Sequence, residues 1–82
     1  MTETEGRAAE ATLQILEWLG DQGINAMIRI DAERLRENRP PWTFAANGGP
    51  LAQGLRADGA TARTCMAQAV ARLREAGVQV PS

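Results

Sequence analysis

The chain has 82 residues, a length that argues for one domain, and its nine basic and ten acidic residues leave a net charge of −1. A balance so close to zero speaks against broad adhesion to nucleic acid or membrane. There is no histidine and no tyrosine, a single cysteine, Cys65, and a single serine, Ser82. A Ser/His/Asp or Cys/His catalytic arrangement, an intrachain disulfide and a thiolate zinc site are thereby excluded.

Every basic residue is arginine. Codon bias in a GC-rich genome explains this, and so does a demand for planar, bidentate donors. Hydrophobic residues make up 44% of the chain, but only Trp18, Trp42 and Phe44 are aromatic and much of the rest is alanine. The expected core is thin, and a domain of this size buries roughly 60–65% of the surface its unfolded chain exposes. No apolar run reaches spanning length. Residues 1–7 are acidic and polar, with no signal-peptide core. The expected compartment is the cytoplasm.

Residues 1–6 read as a flexible leader, residues 7–77 as one domain and residues 78–82 as a C-terminal tail. Thr2 or Thr4 is a candidate cap for the first helix, expected over 7–19. Glu10, Gln14, Glu17 and Asp21 are spaced four, three and four, which makes one narrow wet stripe. Ala8, Thr12, Ile15, Leu16 and Leu19 lie opposite, and Leu13 and Trp18 flank the stripe. Gly20 and Gly23 bracket the helix stop. Residues 24–30 alternate: Ile24, Ala26, Ile28 and Ile30 share one face, and Asn25, Met27 and Arg29 the other, as in a half-buried strand.

Residues 31–41 fit either a short helical turn capped by Asp31, from Ala32 to Glu37, or a charged hairpin loop. Pro40 and Pro41 end either version. Residues 42–47 alternate again, with Trp42, Phe44 and Ala46 together. Asn47-Gly48-Gly49 signals a turn. Residues 50–57 are expected as a third strand with Leu51 and Leu55 inward, Arg56 outward and a bend at Gly54. Asp58 or Thr61 caps a last helix over 60–76. Its apolar stripe is Ala62, Cys65, Met66, Ala69, Val70, Leu73 and Ala76, and Gly77 stops it.

The resulting fold class is α+β: helix, three strands in an antiparallel meander, helix, with both helices on one face. This order resembles, in topology, the double-stranded RNA-binding domain. That family grips phosphates with a basic cluster at the start of its last helix. The matching stretch here, Gly59 to Met66, holds one arginine, Arg63, and no lysine, so the resemblance extends to shape and not to RNA binding.

Chemistry-bearing patterns are few. Glu33 and Glu37 stand among Arg34, Arg36 and Arg39, which points to local charge pairing. The acids at 31, 33 and 37 do not match a calcium loop. Gly48-Gly49-Pro50 lacks the helix and lysine of a phosphate-binding loop. Cys65 reads as a small core residue, although its place early in a helix would lower its thiol pKa somewhat, which leaves a redox role as a minor reading. No cofactor, no metal and no catalytic residue are expected.

Two surfaces exceed what a bare scaffold needs. One is the broad apolar girth of the first helix, with Leu13 and Trp18 on opposite flanks. The tail residues Val78 and Val80 either cover them, or they meet a protein partner or a second copy of the chain. The other is the open sheet face, where Arg29 and Arg56 stand beside Met27, Thr43 and Ala45, next to the loop carrying Arg34, Arg36 and Arg39. These arginines either keep the face soluble or meet phosphate-bearing or acidic ligands. The functional expectation is a non-catalytic protein-interaction module, such as an adaptor, an inhibitor or an immunity-type partner, possible as a homodimer. Nucleic-acid or acidic-ligand binding through the open face is the alternative, and a pocket between helices and sheet a third reading. No membrane partner is expected.

Overall fold

The computed structural model describes residues 3–81, without the side chains of residues 3–5 and 8. The elements run α1 (Glu3–Asp21), β1 (Asn25–Ile30), α2 (Ala32–Arg36), β2 (Trp42–Asn47), β3 (Leu55–Gly59) and α3 (Ala62–Glu75). The three strands form one antiparallel sheet in the order β1-β2-β3. The expected helix–three-strand–helix order is therefore present, with one added turn of helix between the first two strands.

Each helix is bounded by chemistry visible in the chain. Asp31 caps α2 by accepting from the Arg34 backbone N–H at 3.0 Å. Thr61 caps α3, and Thr64 returns the favour in a capping box. Asp58, the other candidate cap, instead lies on β3. Helices α1 and α3 end in the same motif. Ile24 N–H bonds back to Leu19 C=O, and Val78 N–H to Leu73 C=O, across Gly23 and Gly77 at φ of +82° and +90°. The chain reverses there through the left-handed region, which glycine enters without a Cβ clash, and an apolar pair closes each turn.

Three expectations need correction. Helix α1 starts at Glu3, not at residue 7, so most of the expected leader is helical and Thr4 lies inside the helix. Thr2 lies outside the described residues. The third strand starts at Leu55, not at 50. Leu51 is buried, but from the loop. The segment 50–54 gives the loop its turns, while the paired residues Ala57 and Gly59 are small enough for α3 to sit close above them.

That closeness is set by Gly59. A Cβ added there would stand 2.6 Å from Cα of Cys65 and nearer still to its backbone nitrogen. With no side chain at 59, α3 rests directly on the end of β3. Phe44, Leu19, Leu73 and Cys65 fill the space between helices and sheet. The tail is part of this packing: Val78 and Val80 are buried, and Arg74 Nη2 donates to the Val80 carbonyl at 3.0 Å.

Candidate functional site

The open sheet face is organised by strand register. Arg29, Thr43 and Asp58 sit opposite one another across the three strands, and Met27, Ala45 and Arg56 form the next row. Period-two alternation puts all six on the side away from α1 and α3. Arg34 then folds over this face from α2. Its Nη1 donates to Asp58 Oδ1 at 3.2 Å, and its Nη2 donates to the Pro41 carbonyl at 3.3 Å and to the Thr43 hydroxyl. Thr43 in turn donates to Asp58 Oδ1 at 2.6 Å. Arg56 reaches the same oxygen at 3.3 Å, and Arg29 bonds Asp31 Oδ2 at 3.1 Å.

Asp58 is the hub of this network. The Thr43 hydroxyl, then Arg34 and Arg56, hold its carboxyl below the usual carboxylate range. Asp31 is held low first by the Arg34 backbone N–H, then by the charges of Arg34 and Arg29. The expected site residues on this face are thus partly brought together: Arg29, Arg34, Thr43 and Arg56 share a cluster with two aspartates. Arg34 stands on α2 and its side chain is only 13% exposed, unlike the other arginines of the cluster. Arg39 pairs with Glu37 at 2.9 Å, Arg36 is exposed, and Met27 stands 51% exposed beside the cluster. In the sequence Asp31 and Asp58 were offered as helix caps and not as partners of these arginines, because the pairing of Thr43 with Asp58 requires the strand register.

The second surface is α1. Trp18 is half-buried and packs on the core, and it shares a surface hollow with Ile15 and Pro81. The tail therefore accounts for Trp18. It does not account for Leu13, which is 61% exposed. The two are not brought together. Ile30, expected on the buried face, is 48% exposed, because β1 is an edge strand and α1 leaves its outer end uncovered. Among the described residues the exposed large hydrophobics are Leu13, Met27, Ile30 and Leu35, all on α1, β1 or α2.

A groove that the sequence did not suggest runs between α1 and α3. Ile15, Met66 and Val70 line it, with Arg7, Arg63 and Arg74 at its rim and no acidic residue among the described ones. Cys65 is fully buried, its Sγ 3.5 Å from the Ala57 carbonyl, and burial pushes its thiol up, opposite to the lowering its helix position suggested. Among the described residues no cluster of metal-ligating side chains occurs, and no helix is long and apolar enough to cross a membrane.

No protein-family model, curated protein or solved structure matches this chain significantly.

Proposed function

We propose that the chain is a non-catalytic protein-interaction module that docks through the side formed by α1 and β1, and that it acts in the cytoplasm. One observation carries this reading: among the described residues the exposed large apolar side chains, Leu13 and Ile30 included, all lie on α1, β1 or α2, and none lies on β2, β3 or α3. Apolar surface gathered next to an unpaired strand edge is the composition of a docking face. The open sheet face offers less, because Asp31, Asp58 and Glu37 already bond four of its arginines.

The test is capture of partners, the second copy included, by wild type, Leu13→Glu and Arg56→Ala. The complex should be lost with Leu13→Glu and kept with Arg56→Ala. A complex indifferent to Leu13→Glu would reject this face.

A second reading, acidic-ligand binding, is favoured only by the arginine rim of the α1–α3 groove. Phosphate or carboxylate contacts there predict an affinity that falls steeply with salt and drops in Arg63→Ala. Salt-independent binding would remove that reading.

A further inference from the structure

The docking face has a geometry that selects its own occupant. Strand β1 has one neighbour, β2, so its other edge is unpaired within the sheet. The direction of its backbone groups follows from one hydrogen bond. Asp31 N–H bonds the Pro41 carbonyl at 2.8 Å, in register with the β1–β2 ladder. Residues 25, 27 and 29 therefore point their backbone groups at β2, and Ala26, Ile28 and Ile30 point theirs outward. Those three are also the residues whose side chains face the helix layer.

This edge is complementary to itself. If a second copy pairs antiparallel about Ile28, then Ile28 faces Ile28 and Ala26 faces Ile30, each pair exchanging two backbone hydrogen bonds. On the open face Arg29 comes opposite Met27 of the second copy and Asp31 opposite Asn25, so no like charges stand directly opposite one another. The edge carries no proline, lysine or bulge, the usual devices that stop such pairing.

The helix layer continues the same symmetry. Gly6, Ala9, Leu13, Leu16 and Gly20 recur at intervals of three and four along α1. This stripe lies on the flank turned away from α3, because Ala11, Thr12 and Ile15 line the groove on the α3 side. Both glycines are unexplained by the folded chain. A Cβ added at Gly6 or Gly20 would meet nothing within 4 Å, and neither residue has a positive φ. Glycine inside a helix is unfavourable unless something must come close. Extending the sheet across β1 would set two α1 helices side by side in the helix layer, and small residues on the facing flank permit a close approach.

The levels agree. Leu13 stands eight residues, about 12 Å, back from the end of α1. Ile28 stands three residues, about 10 Å, beyond the start of β1. One two-fold axis can pass near both, matching Leu13 with Leu13 and Gly6 with Gly20. A stable dimer takes about 800 Å² from each partner. A strand edge alone falls short of that, and the edge together with the helix seam forms two contiguous layers.

We infer that the chain forms a two-fold homodimer in which β1 pairs antiparallel with β1 of a second copy about Ile28, continuing the sheet to six strands, while the α1 helices meet along the seam centred on Leu13. This rests on the proposed docking face and names its partner.

The experiment is light scattering behind size-exclusion chromatography over a concentration series, with wild type, Ile30→Lys and Gly20→Gln. Both substituted side chains enter open space or an exposed position, and circular dichroism checks that the fold is retained. The expected result is twice the chain mass for wild type and a dissociation constant raised by about tenfold or more in each variant. A Leu13→Cys variant should cross-link to itself under oxidation, and Gln68→Cys, on the exposed side of α3, should not. A wild type that stays at one chain mass throughout, or a dimer that both variants leave intact, overturns the inference. A monomer whose captured partner still depends on Leu13 overturns the homodimer alone and leaves the docking face standing.

Discussion

The two helices of this protein meet the sheet on different terms. Helix α3 lies down on β2 and β3 so closely that Cys65, Ala69 and Leu73 are fully buried and Gly59 has no room for a side chain. Helix α1, though longer, buries only Leu19 completely among its described residues, and leaves Leu13 and two glycines facing open space. The contrast separates two tasks that a small chain must divide. The α3 side supplies cohesion, in a domain too small to hold a deep core. The α1 side spends its apolar residues where they add little to the stability of one chain.

That division can be broken most visibly at its tight end. Leu73→Ala removes a fully buried side chain beneath α3, and the unfolding free energy should fall by about 3 kcal/mol. Leu13→Ala, the same chemistry on the loose side, should change it by less than about 0.5 kcal/mol in dilute protein. Urea denaturation followed by circular dichroism measures both. Similar losses in the two variants would erase the distinction between the sides. Gly59→Ala comes next. The added methyl meets the Cys65 backbone, which must shift, at a cost of about 2 kcal/mol. A neutral result would mean that α3 is free to lift from β3.

The open sheet face sharpens the comparison from a third direction, since it is closed by polar bonds instead of packing. Asp31 and Asp58 have folded-state pKa values below the ordinary 3.8. Their stabilisation is therefore complete above the unfolded value and is lost as pH falls through the folded ones. Thr43→Val removes the bond that contributes most to the lowering at Asp58. It should cost about 1 kcal/mol at neutral pH and lose less further stability between pH 4 and pH 2 than wild type does. The urea midpoint against pH reads this directly. An unchanged acid limb in Thr43→Val would show that the Asp58 network does not contribute to folding.

Legibility in the sequence followed the same division, for physical reasons. Strands β1 and β2 were plain because one face of each is apolar and alternates with polar residues, and the Schellman glycines and the Asp31 and Thr61 caps announced the helix ends. Strand β3 was misplaced because its inward residues, Ala57 and Gly59, are small in deference to α3, a tertiary contact that hydropathy does not record. Arg34 was grouped with Arg36 and Arg39 beside the open face because nothing in a linear pattern shows that α2 will lay it across Thr43 and Asp58. Leu13 was visible as surplus on a helix already apolar enough. Its link to Ile30 was not, since Ile30 alternates as a buried residue and is exposed only because β1 is an edge.

The smallest expected effect is the most discriminating, because its sign depends on which account of α1 holds. Helical glycine with free space above it should be improved by alanine, so Gly20→Ala should stabilise dilute, monomeric protein by up to about 1 kcal/mol. If Gly20 is small in order to admit a second helix, that gain must shrink or reverse as protein concentration rises, since the new methyl enters the seam opposite Gly6 of the other copy. Thermal unfolding of Gly20→Ala beside wild type, at two concentrations bracketing dimer formation, separates the cases. A gain that is the same at both concentrations would make Gly20 a mere imperfection of the helix and leave the α1 seam without a purpose. A gain confined to the dilute sample would mean that the residue is kept for its partner, at the expense of the single chain.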